Sequence, residues 1–321
     1  MRQVRNVARF RSPSPAGRRG EVREDSMREL VNCILARSVL ALGLAWTSSV
    51  SAAPLAPFKD DLFAYPQPVA SRAAGVFLDV PYDEARDIDR RDEIPERRVQ
   101  RRYVDLEPNR TLQEHVFGTR AGPLRWTSVG EISAPRFVVV FVHGRNGDRR
   151  LGMNDWTFGG NFNRLKNLAS RNAGLYATFD GGTLGAEDAQ RAGTLIQELA
   201  ARHAGAPVLL ACGSMGGELC WTALADPKVA DVVEGLIVLG GSSDVSRLDR
   251  AVPRGRMLPI LVAHGTRDKV YDYVRQEGFV EAVRVRRPGY PIRFVGFDGG
   301  NHGTPIRMID WRETLDWVLA Q

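Results

Sequence analysis

The clearest pattern in this chain is an alternation of short apolar runs with amphipathic segments, which begins near residue 135 and continues to the C-terminus. Residues 137–142 are continuously apolar and rich in valine, which is typical of a strand buried on both faces. Strands are predicted at 137–142, 175–179, 207–211, 232–239, 258–263 and 291–297, and helices at 163–173, 186–203, 216–224, 270–285 and 306–319. Strands that alternate with helices through short links run parallel and join by right-handed crossovers. The pattern therefore predicts an α/β protein, a three-layer α/β/α sandwich on a mostly parallel sheet.

The N-terminal part of the chain gives weaker signals. Alternating apolar and polar residues predict two strands, at 101–106 and 124–130, which form an antiparallel N-terminal edge of the sheet. Residues 53–100 contain several prolines and then a mixed-charge run, so a loop-rich, charged N-terminal extension is predicted there. The main folded domain is therefore expected to span residues 101–321.

Residues 1–52 have the layout of a secretory signal peptide. Residues 38–46 form an uncharged apolar run of nine residues, which follows two arginines and precedes a small-x-small cleavage pattern at 50–52. The run is about half as long as the ~20 residues that a membrane-spanning helix needs. We therefore expect export to the periplasm or the medium, without stable membrane insertion after cleavage. An uncleaved N-terminal anchor is the alternative, and Met27 is an alternative start.

The charge of the chain is concentrated in this leader. The formal net charge is +6, yet residues 1–52 hold nine arginines against four acidic residues and leave 35 basic against 34 acidic side chains elsewhere. A nearly neutral remainder lacks the basic surface that nucleic-acid binding requires, so no nucleic-acid partner is expected.

Cysteine and histidine usage argues against several kinds of site. Cys33 lies in the leader, and Cys212 and Cys220 remain. If Cys212 ends a strand and Cys220 lies two turns into the next helix, the distance between their Cα atoms exceeds the ~7 Å that a disulfide tolerates. This spacing predicts two buried free thiols. The chain has no CxxC, HExxH or Cys/His cluster, so neither a metal nor an organic cofactor is expected.

The strongest candidate for chemistry is the sequence Cys-Gly-Ser-Met-Gly-Gly at 212–217, between a predicted strand and a predicted helix. A serine on such a tight turn points outward, and its neighbours must be small because the strand and helix backbones nearly touch. The pattern is the nucleophile elbow G-x-S-x-G with Cys212 in place of the first glycine, which makes Ser214 a candidate nucleophile. A glycine-rich turn of a dinucleotide-binding fold and a plain serine at a helix N-terminus are the alternatives.

A serine nucleophile requires a base, and the base requires an acid that fixes its tautomer. His302 follows the last predicted strand on the same sheet edge as Ser214, and it is the candidate base. Asp268, which follows the preceding strand, is the candidate acid, with Asp244 as its rival. The remaining histidines are expected to shape turns (His143, His264), to be structural or solvent-facing (His115), or to face solvent (His203).

The oxyanion of an acyl-transfer intermediate needs two preorganised N–H donors. The backbone amide of Met215, the residue after the candidate nucleophile, is the first. The second is expected from the loop at 143–147, with the Arg145 amide favoured and Asn146 next. An ordinary glycine turn is the alternative interpretation of this loop.

The chain resembles the α/β-hydrolase superfamily over residues 101–321. Four features occur in the order and spacing of that superfamily, namely His143-Gly144, the elbow at Ser214, Asp268 and His302. The Ser-Met-Gly-Gly form is similar to that of bacterial esterases, monoglyceride lipases and small carboxylesterase- or phospholipase-type hydrolases. The resemblance implies a catalytic domain in which Ser214 is acylated and water activated by His302 hydrolyses the acyl-enzyme. The expected partner is a small or medium carboxylic ester. A serine peptidase, thioesterase, phospholipase or lipase on the same triad, or a non-catalytic binding protein of this fold, are the alternatives.

Two loops bear on specificity. Only 15 residues, 242–256, separate two strands where a helical cap is usually inserted, so no large cap domain is expected. The link between Gly147 and Asn163 is long and aromatic, and a long loop at the catalytic edge tends to be functional. The candidate pocket residues are Trp156, Phe158 and Asn146, with Phe162 as a further wall. Packing of this loop against the body is the alternative.

Overall fold

A ten-stranded sheet lies at the centre of the computed structural model, which describes residues 53–321. The strands, in chain order, are β1 (Ala70–Arg72), β2 (Phe77–Pro81), β3 (Asp92–Glu93), β4 (Arg98–Val99), β5 (Gln113–Thr119), β6 (Gly122–Gly130), β7 (Val138–Val142), β8 (Leu175–Phe179), β9 (Val208–Gly213), β10 (Val233–Leu239), β11 (Ile260–Gly265) and β12 (Ile292–Asp298). The large sheet has the order β1-β2-β12-β11-β10-β9-β7-β8-β6-β5, and β3 pairs with β4 in a separate sheet. Strands from β2 to β8 in this order run parallel, whereas β1, β6 and β5 pair antiparallel.

Helices cover both faces of this sheet. They are α1 (Asp60–Phe63), α2 (Arg149–Met153), α3 (Asn161–Arg171), α4 (Ala186–Arg202), α5 (Gly216–Leu224), α6 (Pro227–Ala230), α7 (Val245–Ala251), α8 (Tyr273–Arg286), α9 (Thr304–Met308) and α10 (Trp311–Leu319). Successive residues of β7 pack into two different core clusters, Val138 into one and Val139 into the other, because side chains alternate across a strand. The predicted three-layer sandwich is confirmed. Only the short helix α7 lies between β10 and β11, in agreement with the prediction that no large cap domain is inserted there.

The order of the central strands creates a crevice at one end of the sheet. From β7 the chain crosses one face through α2 and α3 to reach β8, and it then returns across the other face through α4 to reach β9. The connection after β7 leads to β8 on one side, and the connection after β9 leads through α5 on the other face to β10 on the opposite side, so the two connections leave in opposite directions. In open parallel sheets such a switch point is where ligands bind, beyond the carboxyl ends of the strands. The loop after β7 and the turn after β9 both lie at this point.

The two edges of the sheet differ from the sequence prediction. Residues 101–106 do not form a strand: Arg101–Tyr103 is a 3₁₀ turn, and Tyr103 is buried beside α1 with Phe63 and Val99. The antiparallel edge is instead the hairpin of β5 and β6. Residues 53–100 supply β1 and β2 to the opposite edge, where β2 pairs parallel with β12, so this extension belongs to the same sheet.

The predicted free thiols are the clearest error, because Cys212 and Cys220 form a disulfide. Their Cα atoms lie 6.6 Å apart, inside the range that a disulfide accepts. The spacing argument failed because α5 packs closer to the sheet than ordinary side chains would permit. The expectation for His203 is also wrong, since this residue is buried at the end of α4 rather than in solvent.

The predicted leader, residues 1–52, lies outside the described residues. Between residues 53 and 321, no helix is long and apolar enough to cross a membrane.

Candidate active site

Ser214 lies on a tight turn between β9 and α5, with a left-handed φ of 52° that is uncommon for a residue with a side chain. Two glycines make this turn possible. A Cβ on Gly216 would lie 2.5 Å from the carbonyl oxygen of His143, and one on Gly241 would lie 2.8 Å from that of Ser214. Helix α5 therefore approaches β7 and β10 at backbone distance, and the serine side chain is directed out of the turn. This is the geometry that the G-x-S-x-G pattern requires.

The structure brings Ser214, His302 and Asp268 into one hydrogen-bonded chain. Ser214 Oγ lies 2.8 Å from His302 Nε2, and His302 Nδ1 lies 2.8 Å from Asp268 Oδ2. Because a carboxylate only accepts hydrogen bonds, Nδ1 carries the hydrogen and Nε2 is free to accept the serine proton. The rival acid, Asp244, instead caps α7 by accepting a hydrogen bond from the Arg247 amide.

The carboxylate of Asp268 is completely buried and is held from several sides. Its Oδ1 accepts the backbone amides of Val270 at 2.7 Å and Tyr271 at 3.1 Å. Its Oδ2, which binds His302, also lies 3.0 Å from Nε2 of His264. The contacts from His264 and from the loop after β11 therefore orient the Asp268 carboxylate independently of His302.

His264 contacts the Asp268 carboxylate, and the sequence analysis did not predict this contact. Its Nε2 faces two acceptors, Asp268 Oδ2 and the Tyr271 carbonyl oxygen at 2.9 Å, so this nitrogen carries the hydrogen. Burial lowers the pKa of His264, which keeps the ring neutral. The available signal was the position of His264 near the end of a strand, four residues before the candidate acid.

The loop after β7 passes alongside the serine. A Cβ on Gly144 would lie 3.0 Å from the Cβ of Ser214. The Gly147 amide donates to the Gly144 carbonyl at 3.1 Å, which closes a turn with Arg145 and Asn146 exposed at its apex. His143 fixes the base of this turn, with Nδ1 2.7 Å from the Gly144 carbonyl oxygen and Nε2 accepting the Gly181 amide at 2.8 Å.

Met215 precedes the first residue of α5, and its amide stands at the positive end of that helix. The two expected oxyanion donors therefore come from elements that both border Ser214. The side chain of Met215 packs against the core, which leaves the backbone as its contribution to the site.

Tyr271 is a second residue that the sequence did not indicate. Its ring centre lies 5.9 Å from that of His302, and its hydroxyl donates to Glu218 Oε1 at 3.0 Å. Burial, together with this hydrogen bond to a carboxylate, raises the pKa of Tyr271 to about 12. The tyrosine thus stays protonated and joins the acid loop to α5.

The aromatic residues of the long loop have different positions. Phe158 lines a cavity beside the loop that carries His302. Trp156 does not line that cavity; it packs against the cluster around Val99, with the Arg98 guanidinium 3.7 Å from its ring centre. Phe162 is fully buried in the core. Of the three, only Phe158 has the position expected of a pocket wall, and the other two anchor the loop to the body.

Among residues 53–321, no group of three or more His, Cys, Asp or Glu side chains is arranged to hold a metal ion.

Comparison with known proteins identifies the fold. No family model and no curated protein matches the sequence. A feruloyl esterase module from Clostridium thermocellum, complexed with sinapinate, is similar in structure with a TM-score of 0.52 at 13% identity, over 82% of this chain and 96% of that one. An esterase from Pyrococcus furiosus gives a TM-score of 0.50 at 11% identity, over 67% of this chain and 95% of that one. At these identities the similarity shows a shared fold.

Proposed function

We propose that this chain, which has the α/β-hydrolase fold, is a serine hydrolase that cleaves a small or medium carboxylic ester. The proposal rests on one observation, the continuous hydrogen-bonded chain from Ser214 through His302 to Asp268. These three residues lie at the switch point of the sheet, which is where ligands bind in open parallel sheets. The two structures described above are named as esterases, and an ester is the substrate class that this proposal puts to the test.

In the proposed reaction, Ser214 Oγ attacks the ester carbonyl carbon while His302 Nε2 takes the serine proton. The carbonyl oxygen becomes an oxyanion, which the Met215 and Arg145 amides stabilise by hydrogen bonds. His302 then gives the proton to the leaving alcohol oxygen as the carbon–oxygen bond breaks. Water repeats the sequence on the acyl-enzyme, with His302 as base, and releases the carboxylic acid and free Ser214.

Asp268 keeps its negative charge throughout and stabilises the imidazolium that forms on His302. Four groups approach its carboxylate, counting His302, His264 and two backbone amides, so it is oriented before the substrate binds. Such preorganisation is useful because the carboxylate need not reorient while charge develops.

Labelling with a fluorophosphonate probe tests the proposal. The wild-type protein is expected to label and Ser214→Ala is expected not to label, whereas Ser242→Ala, which removes another serine from the same edge of the sheet, should label normally. A Ser214→Ala variant that still labels would place the nucleophile elsewhere. A folded wild type that does not label would favour a binding protein without catalysis.

A substrate panel then separates the alternatives on the same triad. p-Nitrophenyl esters, aminoacyl anilides and acyl thioesters are compared at equal concentrations. Hydrolysis of the esters with the highest kcat/KM supports the proposal. Preference for anilides would identify a peptidase, preference for thioesters a thioesterase, and activity confined to aggregated long-chain lipids a lipase or phospholipase.

Export through residues 1–52 is part of the proposal. The buried disulfide supports it, because such bonds persist mainly in oxidising compartments. In an expressing bacterium, the protein should appear in the periplasm or medium with the mass of a chain that begins near residue 53. A full-length protein in the membrane fraction would instead indicate an uncleaved anchor.

A further inference from the structure

A cavity of about 330 Å³ lies beside the loop that carries His302. Asn301 and Gly303, the two neighbours of His302, both line it. Its volume is at the lower end of the range of small-molecule pockets, roughly 300–1,000 Å³. The cavity is therefore large enough for part of a substrate, and it borders the loop that carries the imidazole.

The N-terminal segment, residues 82–97, forms one wall of this cavity through Tyr82, Ile88 and the rim residues Glu96 and Arg97. The opposite wall comes from Phe158 and from the start of α9. A Cβ on Gly303 would lie 3.7 Å from the Phe158 ring, so the ring stands about one methyl group away from the His302 loop. Removal of the N-terminal segment would leave an open surface.

The N-terminal wall is fastened to the rest of the site. Arg307 of α9 forms a buried ion pair with Asp92 and donates to the Asp87 carbonyl oxygen at 2.8 Å. Arg91 donates to the Gly159 carbonyl oxygen at 3.2 Å, next to Phe158. Both walls are thus held in place by contacts within the protein, which lowers the entropy lost on binding.

The lining indicates which chemical group fits. Ile88 is buried, and Phe158 and Tyr82 add further apolar surface. The charge of Arg307 in the cavity wall is already compensated by Asp92, and the other two charged lining residues, Glu96 and Arg97, are exposed at the rim. Asn301 and Thr304 add polar side chains to the lining. The cavity therefore suits an uncharged, mainly apolar group that carries at most a polar atom or two.

The position of the imidazole indicates which half of an ester this group belongs to. His302 must reach the leaving alcohol oxygen to protonate it, so the alcohol lies on the imidazole side of the tetrahedral carbon. The expected oxyanion donors are on other elements, the loop after β7 and the start of α5. The side of the site that borders the cavity is therefore the side of the leaving group.

We propose that this cavity binds the alcohol part of the ester, as an uncharged and mainly apolar group, and that Ile88 and Phe158 set its size. The proposal rests on the proposed function, since it assigns a subsite to the same reaction. One water molecule occupies about 30 Å³ in the liquid, so the cavity holds an alcohol group on the order of ten heavy atoms.

Two ester series test this assignment. The alcohol series consists of ethyl, hexyl and 2-phenylethyl acetate, and the acyl series of ethyl acetate, butyrate and hexanoate. Ile88→Trp fills the cavity and is expected to lower kcat/KM for 2-phenylethyl acetate by at least about tenfold relative to ethyl acetate. The acyl series should keep its wild-type ratios. Ile94→Trp is the matched control, because Ile94 is 51% exposed on the same segment and does not line the cavity.

Phe158→Ala gives a second measurement if Ile88→Trp does not fold. It enlarges the cavity, so 2-(1-naphthyl)ethyl acetate is expected to gain at least about threefold over 2-phenylethyl acetate. Unchanged alcohol ratios in the folded variants, or changes confined to the acyl series, overturn the proposal. Fluorophosphonate labelling of each variant reports on folding and on Ser214. If the wild type labels and hydrolyses ethyl acetate but the variants keep its alcohol ratios, the subsite alone is contradicted. If the wild type neither labels nor hydrolyses ethyl acetate, the proposed function is overturned, and this subsite with it.

Discussion

Loss of the disulfide between Cys212 and Cys220 is expected to destabilise the folded protein by about 2.5 kcal/mol. The two cysteines are eight residues apart, and both are buried. The loop that they close contains Ser214 and the start of α5. In the unfolded chain the bond restricts this loop, and its removal returns that conformational entropy to the unfolded state.

The magnitude follows from the length of the loop. For about eight residues, the chain-entropy relation gives a change near 8 cal/mol/K, or about 2.5 kcal/mol at 25 °C. The thermal midpoint of a domain of this size moves by roughly 2–4 °C for each kcal/mol. The reduced protein is therefore expected to unfold about 5–10 °C below the oxidised protein.

Thermal and urea unfolding of the same sample in its two redox states measure this difference. Because the bond is buried, the reduced form is prepared by unfolding and refolding in the presence of a thiol reductant. The Cys212→Ala/Cys220→Ala variant is the control, since its midpoint should not respond to the reductant. Equal midpoints for oxidised and reduced wild type would refute the reasoning. A reductant effect of the same size in the double variant would show that the effect does not come from this bond.

Three further changes have defined outcomes. Asp268→Asn is expected to lower kcat by about 10⁴-fold through loss of the required His302 tautomer, and a loss under tenfold in steady-state assays would contradict its role. Gly216→Ala places a Cβ 2.5 Å from a backbone oxygen and should destabilise the fold, whereas Gly278→Ala in the open middle of α8 should stabilise it by ~0.5–1 kcal/mol; urea unfolding compares the two. Arg307→Met leaves Asp92 buried without its partner and should cost about 3–5 kcal/mol in urea unfolding, most of which an added Asp92→Leu change should restore. A double variant no more stable than the single one would contradict this account of the ion pair.

The strands and helices after residue 135 could be predicted because their burial leaves a mark on each segment separately. The strand at 175–179 and the helix at 216–224 have the predicted bounds. For the strand the reason is that a strand covered on both faces is mainly apolar along its length. The segment at 101–106 alternates in the same way as an edge strand, yet Tyr103 is buried because α1 packs over it. Periodicity records that a side chain is buried but not which element buries it.

The candidate site divides in the same manner. Ser214, Asp268 and His302 were accessible to prediction because each follows a strand, and the carboxyl ends of parallel strands meet at one edge. His264 and Tyr271 carry no comparable signal, since their importance comes from contacts across the loop after β11. The aromatic loop was expected to supply pocket residues, but its sequence did not distinguish Phe158, which lines the cavity, from the residues that anchor the loop.

After residue 135 the amino-acid sequence by itself determined which segments form the strands of the sheet, which residues stand at their ends, and where a backbone must be free of a side chain. Tertiary structure decided every feature that depends on a distance between segments. The disulfide forms because glycines let α5 approach the sheet, and the cavity exists because an N-terminal segment folds back beside α9. The physical reason is that local preferences act over a few residues, whereas packing joins groups that are far apart in the chain.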